Sequence, residues 1–247
     1  MKIKKHFKKY LYSITHLRKI KFLCPMCGYY GPFKTYNYRS CLIEHYNCPT
    51  CLSASRHRLQ YLVFKQLSQH YDFTDKILLH FAPETCFQPF FKKMFGTYYT
   101  SDINAKGVDC MADLCHLPFK TQSCNVVFAS HVLEHIHDDH SVLKEIWRIL
   151  KPGGIAILPV PVFGSFTVEY PQRNPYEYDH VRAPGLDYFT RYDEIFSGLQ
   201  IFSSNDFPET FQTFLYEDRE NWPDTMPLRP KSKGKKHADF VPVCFKN

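Results

Sequence analysis

Short apolar runs and helix-patterned runs alternate through the middle of this 247-residue chain, and that alternation restricts its fold more than any other feature. Residues 76–81, 97–103, 108–111, 125–130 and 155–159 read as strands bounded by turn residues. Residues 59–71, 85–95 and 141–150 carry apolar side chains at helical spacing, and Pro152-Gly153-Gly154 stops the last of them. Strands that alternate with helices build a parallel sheet covered on both faces, an α/β fold. A short helix at 191–197, strands at 199–204 and 240–245, and a polar, basic loop over 217–237 are expected beyond it. Residues 163–190, rich in Pro, Gly and Tyr, read as a long loop or lid.

Polar residues gather where those strands end. Asp102 closes the run Tyr98-Tyr99-Thr100-Ser101-Asp102, where a carboxylate can accept two hydrogen bonds from a ribose diol, with Ile103 against the adenine face. Asp113 follows the next strand, eleven residues later. His180 titrates near neutrality and is flanked by Asp179, so it is a candidate general base. His131, His135, His137 and His140 crowd one turn and helix start. They do not repeat on one helical face, which argues against a catalytic metal held by those four.

Two Cys-Pro-x-Cys pairs, Cys24/Cys27 and Cys48/Cys51, are separated by twenty residues. That is the spacing of a four-cysteine zinc ribbon, with structural Zn2+ bound by Cys24, Cys27, Cys48 and Cys51. The aromatic and basic residues between the pairs can pack a small module or form a binding face, and the cations of Arg56-His57-Arg58 share that ambiguity. The other six cysteines are scattered through expected strands, helices and turns, as in a reducing compartment.

The net charge of +7 is unevenly spread, because residues 1–43 hold ten Lys or Arg and no acid. Ile3, Phe7, Leu11, Ile14 and Leu17 lie at helical spacing among lysines, so residues 1–21 read as a basic amphipathic helix. It can pack on the protein itself, lie on an acidic membrane surface, or touch RNA. Residues 10–17 are too polar for a signal-peptide core, and the apolar run 155–163 is too short to span a bilayer, so a cytoplasmic protein is expected. The expected organisation is the helix over 1–21, the ribbon over 22–58 and one α/β domain over 59–247.

The segments Leu78-Leu-His80-Phe81-Ala82-Pro83-Glu84, Asp113-Leu114, Asn125-Val-Val-Phe-Ala-Ser130-His131-Val-Leu-Glu134-His135-Ile136 and Glu145-Ile-Trp-Arg148-Ile-Leu-Lys-Pro-Gly-Gly154 carry a resemblance. Over about residues 76–160 the chain resembles class I S-adenosylmethionine-dependent methyltransferases of the Methyltransf_11 type. Over about 24–190 it is similar to a zinc-ribbon-bearing subgroup of them. The resemblance implies a Rossmann-like sheet with helices on both faces and S-adenosyl-L-methionine as cofactor. It implies that Asp113 accepts from the adenine amine beside the Leu114 amide, and that His80, Phe81, Ala82 and Glu84 line the methionine end, with Glu84 pairing the α-ammonium. Ser130 and His131 would lie beside the sulfonium, with His131 joining His180 in catalysis. The chain departs from the family where His80 replaces an acid, where Ala82-Pro83-Glu84 replaces a glycine-rich turn, and at Asn125, where an aspartate is usual. The expected reaction is O-methylation of a small molecule or glycan. An RNA (ribosomal RNA) acceptor, bound through the ribbon and the basic N-terminus, is the alternative, although the lack of an Asn-Pro-Pro-Tyr-like segment after strand four argues against amino methylation of exposed bases. A non-catalytic ribbon-containing binding protein is the second alternative.

Overall fold

The computed structural model describes residues 12, 14–38, 41–104, 106–162, 164–221 and 231–247; of the expected helix over 1–21, residues 1–11 and 13 lie outside that set. The chain forms two compact units, one from residues 1–66 with 203–239 and one from 67–202 with 240–247. The sequence reading instead joined 59–247 into a single domain. No helix among the described residues is long and apolar enough to cross a membrane.

The second unit is built on a seven-stranded sheet. In chain order its strands are β5 (Ile77–Phe81), β6 (Thr97–Asp102), β7 (Cys110–Met111), β8 (Cys124–Ala129), β9 (Leu150–Ile157), β12 (Gly198–Ser203) and β15 (Phe240–Phe245). Across the sheet they run β12-β15-β9-β8-β5-β6-β7. β5 pairs in parallel with both neighbours, Leu79 facing Tyr99 of β6 and Val127 of β8, while β15 is antiparallel to β9. Both faces are covered, which is why Val126–Ala129 are all buried rather than alternating in and out.

Helix α3 (Asp139–Ile149) supplies one cover, after α1 (Ser55–Leu67) and α2 (Gln88–Met94). Its Val142, Leu143, Ile146 and Ile149 form a single stripe in the core. Asp138 caps its start by accepting from the Ser141 amide and hydroxyl at 3.0 and 2.7 Å. Glu145 and Arg148 pair bidentately at 2.7 and 2.8 Å and bond the Leu117 amide and the Leu117 and Phe119 carbonyls, pinning the helix to residues 117–119. The helix ends where expected, but strand β9 begins at once and runs through Pro152-Gly-Gly instead of starting at Ile155. Glycine is required at 154, because a Cβ there would meet the Lys151 and Asn125 carbonyl oxygens at 2.8 and 2.9 Å.

Two further expectations are corrected. The 163–190 segment contains a hairpin of β10 (Val168–Asn174) and β11 (His180–Ala183), with Glu169 opposite Arg182 and an irregular register after Glu169. The expected loop over 217–237 holds parts of β13 (Leu215–Asp218) and β14 (Lys235–His237), and these strands pair with each other.

The first unit begins with β1 (Phe22–Leu23) and β2 (Tyr30–Gly31), a short hairpin around the first cysteine pair. β3 (Lys34–Tyr38) and β4 (Cys41–Asn47) follow, and β13 and β14 extend them into a sheet of order β14-β13-β4-β3. Without β13 one edge of β4 would present unpaired backbone groups.

Arg58 holds this unit together. It is fully buried, and its guanidinium donates to the carbonyls of Tyr46, Ser53, Phe211 and Gln212 at 2.6–3.0 Å and stacks 4.4 Å over the Phe33 ring. Burial lowers its pKa to about 10, and the nearby thiols of Cys24, Cys48 and Cys51 act in the opposite direction. Its role is thus internal rather than on a binding face. Arg58→Met leaves several buried carbonyls without donors and is expected to cost about 3 kcal/mol or more in denaturant unfolding; a loss under about 1 kcal/mol would contradict the clamp.

Candidate active site

The strand order reverses between β5 and β8, the kind of switch point at whose carboxyl edge doubly wound sheets bind ligands. At the end of β5, His80 is completely buried among Phe87, Phe91 and Phe128. Its Nδ1 lies 2.9 Å from the Tyr98 hydroxyl and its Nε2 2.9 Å from a Glu84 carboxylate oxygen. The His80 and Phe81 side chains therefore sit behind the sheet edge, and His80 holds Glu84 in the turn above it. Ala82 has φ of +47°, a conformation that glycine adopts freely and alanine does not. Its amide donates to the Ser101 carbonyl at 2.9 Å. The turn keeps a glycine-like backbone although its sequence has none.

At the next two strand ends, Asp102 is half-buried and Asp113 exposed. Each also makes a local turn, Asp102 accepting from the Asn104 amide at 2.8 Å and Asp113 from the Cys115 amide at 2.9 Å. Asp102 pairs in register with Met111, so the acids sit on neighbouring strands. Ile103 is 60% exposed and Met111 68%, an apolar surface between two carboxylates. Leu114 is buried in the core. Asp109, which the sequence reading passed over, stitches β6 to β7: it accepts from the Thr100 hydroxyl and amide at 2.7 and 2.8 Å, and those bonds hold its carboxyl below the usual range.

Beyond β8, Ser130 is buried and His131 again has positive φ, +55°. The His131 amide donates to the Pro159 carbonyl at 2.9 Å, and its Nδ1 lies 3.3 Å from Glu134 Oε1. Glu134 and His135 lie in a 3-10 turn, and Glu134 has no exposed surface. His180 opens β11 and is buried beside them, its Nε2 3.9 Å from Glu134 and its Nδ1 3.9 Å from Glu177. The His135 and His180 rings meet edge to face at 4.7 Å. The Tyr170 hydroxyl donates to Glu177 at 2.8 Å. Asp179, expected to flank His180, is exposed on the turn, and the carboxylates at the ring belong to Glu134 and Glu177. Of the four clustered histidines, only His135 joins Glu134 and His180 with donor atoms within 4.8 Å of one another.

Arg182 brings this cluster together. Buried, it donates to the Leu133, Ile136 and His137 carbonyls at 2.9, 2.5 and 2.8 Å and to Glu169 at 3.0 Å. Asp139 lies 3.3 Å away and also accepts from the Tyr188 hydroxyl at 2.5 Å and Arg191 at 2.6 Å. Burial, with the Asp139 charge beside it, pushes the Tyr188 hydroxyl well above its ordinary pKa, so it stays a donor.

In the first unit, the four cysteine sulfurs lie within 4.8 Å of one another, with the Cys24–Cys51 and Cys27–Cys48 pairs each at 3.6 Å. Two thiolates on one tetrahedral zinc lie roughly 3.8 Å apart. The quartet fits that ion. The two knuckles match in their backbone, the Gly28 amide bonding the Cys24 carbonyl and the Leu52 amide the Cys48 carbonyl, both at 2.9 Å. Both Gly28 and Leu52 have positive φ, +70° and +63°. None of the chain's ten cysteines forms a disulfide.

The doubly covered, mostly parallel sheet matches the Rossmann-like fold of class I methyltransferases. Residues 89–158 match the model of the Methyltransf_11 family, described as a methyltransferase domain. Over 63 residues it is 40% identical to a demethylmenaquinone methyltransferase of Lactobacillus johnsonii, covering 26% of this chain and 24% of that one. Over 69 residues it is 38% identical to the enzyme of the same name from Corynebacterium glutamicum, covering 26% and 30%. An uncharacterized 37.1 kDa protein in a Streptomyces fradiae transposon is 33% identical over 61 residues, covering 25% and 18%. The chain thus spans less than a third of the length of these curated relatives. Among solved structures, an S-adenosylmethionine dependent methyltransferase from Mesorhizobium loti is 12% identical, with a TM-score of 0.49 and coverage of 78% of this chain and 99% of that one. A putative methyltransferase from Bacillus halodurans is 15% identical, with a TM-score of 0.45 and coverage of 74% and 95%.

Arg182→Lys removes the planar fork that spans three carbonyls. It is expected to cost about 2 kcal/mol and to speed amide exchange over residues 133–137. Wild-type exchange there would contradict the clamp.

Proposed function

We propose that the chain is an S-adenosyl-L-methionine-dependent methyltransferase that methylates a hydroxyl of a small molecule or glycan. The observation that carries the cofactor reading is the pair Asp102 and Asp113 on neighbouring strand ends, with the exposed Ile103 between them. A nucleoside needs acceptors for its ribose diol and its exocyclic amine, and an apolar face for its base. Asp102 would hold the ribose, Ile103 the adenine face, and Asp113 with the Leu114 amide the adenine edge. Glu84, fixed by His80, would pair with the α-ammonium, a charge-assisted contact, beside the backbone of Phe81 and Ala82. Ser130 and His131 would face the sulfonium.

The bound cofactor supplies an electrophilic methyl group whose transfer is an in-line displacement. The residues then orient the acceptor oxygen and take its proton, so that its lone pair forms the new C–O bond as the S–C bond breaks. His180 and His131 are the candidate proton acceptors. Glu134 lies 3.3 Å from His131 and 3.9 Å from His180, placing a carboxylate beside each ring, which supports that role. The hydroxyl acceptor is inferred from these histidines and from the Tyr170 and Tyr178 side chains on the hairpin above them. In the first unit, Cys24, Cys27, Cys48 and Cys51 would bind a structural zinc that stabilises the fold and has no open coordination position.

Calorimetry with S-adenosylhomocysteine tests the cofactor reading. Micromolar or tighter binding is expected, weakened at least tenfold in Asp102→Ala; wild type that fails to bind would sink the enzyme assignment. Labelled S-adenosylmethionine incubated with fractionated cell extract then identifies the acceptor class. For the ribbon, a Cys24→Ser/Cys48→Ser variant is expected to lose one equivalent of zinc and the amide protection of residues 22–53. Unchanged metal content would rule out the four-thiolate site.

A further inference from the structure

The buried Glu134 carboxylate, the imidazole of its neighbour His135 and the imidazole of His180, from a distant part of the sequence, converge after β8, and no step in cofactor binding requires this arrangement. We propose that Glu134, His135 and His180 bind a first-row divalent cation, and that the ion holds an acceptor presenting a hydroxyl beside a second oxygen. This proposal rests on the methyltransferase reading for the acceptor, and on the geometry of the three side chains for the metal.

Three observations support it. Glu134 has no exposed surface, and a carboxylate so placed is stabilised by a cation close by. The His180 ring stands between two carboxylates, its Nε2 3.9 Å from Glu134 and its Nδ1 3.9 Å from Glu177. The Nε2–Glu134 separation is within reach of two ligands of one ion, since metal–nitrogen and metal–oxygen bonds of roughly 2.1 Å allow donor pairs up to about 4.2 Å apart. The third observation is that donor atoms of Glu134, His135 and His180 all lie within 4.8 Å of one another, so small side-chain shifts close the set.

Two imidazoles and one carboxylate suit zinc, iron, cobalt or nickel better than magnesium or calcium. Three protein ligands leave positions open, so the site differs from the closed cysteine quartet and can receive acceptor oxygens. Two neighbouring oxygens would fill adjacent open positions, which favours a vicinal diol or an equivalent chelating pair over an isolated hydroxyl. Around the set, Glu177 and the Tyr170 hydroxyl lie beyond His180, and Arg182 fixes the carbonyls on either side of Glu134 and His135. Those contacts are the outer supports a metal site requires. His180 then serves as a ligand, and His131 remains as the proton acceptor.

The test is a cobalt titration of the zinc-loaded full chain followed by visible absorption. One further equivalent of Co2+ is expected to bind with d–d bands and no thiolate-to-cobalt charge transfer, which would mark exchange into the cysteine site. His135→Ala, His180→Ala and Glu134→Gln should each weaken that binding at least tenfold, while exposed Asp179→Asn leaves it unchanged. S-adenosylhomocysteine affinity is measured on every variant and should stay within about twofold of wild type, reporting an intact fold. If an alanine variant fails that check, His135→Gln and Glu134→Gln decide. Wild type that takes up no cobalt outside the cysteine quartet, or variants that bind it as wild type does, would overturn the metal site. Cobalt binding without S-adenosylhomocysteine binding would keep the metal site and remove the methyltransferase reading, so the two failures are distinguishable.

Discussion

The Arg182 guanidinium is the contact on which the candidate site depends. The turn after β8 is a single 3-10 turn, in which the Leu133 carbonyl accepts from the Ile136 amide, followed by irregular backbone, and buried carbonyls must be paired. Arg182 satisfies Leu133, Ile136 and His137 from a neighbouring hairpin, and so fixes Glu134 and His135 against His180. Burying that charge is tolerable because Glu169 and Asp139 accompany it, with Arg191 and Tyr188 completing Asp139. The first unit uses the same device. Arg58 is buried against the carbonyls of irregular backbone around the cysteine knuckles and residues 211–212. Arginine serves both places because its planar fork reaches several acceptors from one stem.

The sheet imposes a second constraint. A parallel sheet covered on both faces leaves polar chemistry nowhere to go but the turns at its carboxyl edge. Two of those turns start in positive-φ conformations at non-glycine residues, Ala82 and His131. Such residues carry strain of order 1 kcal/mol or more and persist where surrounding contacts fix them. At Ala82 the Ser101 carbonyl and the His80–Glu84 pair do so, and at His131 the Pro159 carbonyl does. The chain thus reaches a glycine-type turn without glycine, and His80 holds Glu84 within it.

Much of this was legible in the sequence, for physical reasons that can be named. The strands and α3 show their periods, the cysteine knuckles their spacing, and Asp102 and Asp113 their positions after strands. What escaped was long-range or irregular. The β10–β11 hairpin has a broken register and several prolines, so it lacks the alternation that marks a strand. β13 and β14 are short and polar because they extend a sheet edge rather than fill a core. Nothing local distinguishes Arg58, which is buried, from Arg56 two residues earlier. His180 was legible as a titratable residue, but its partners were not. Asp179 is adjacent in sequence and exposed, whereas Glu134 and Glu177 reach the ring through the fold.

In the proposed function the carboxyl edge of β5, β6, β7 and β8 binds one nucleoside sulfonium. Hydrogen exchange with and without S-adenosylmethionine tests it most directly. Added protection is expected in residues 81–84, 101–104, 112–115 and 129–135, with no change across the cysteine knuckles at 24–51. Protection confined to the knuckles, or no protection at the four strand ends under saturating cofactor, would contradict it.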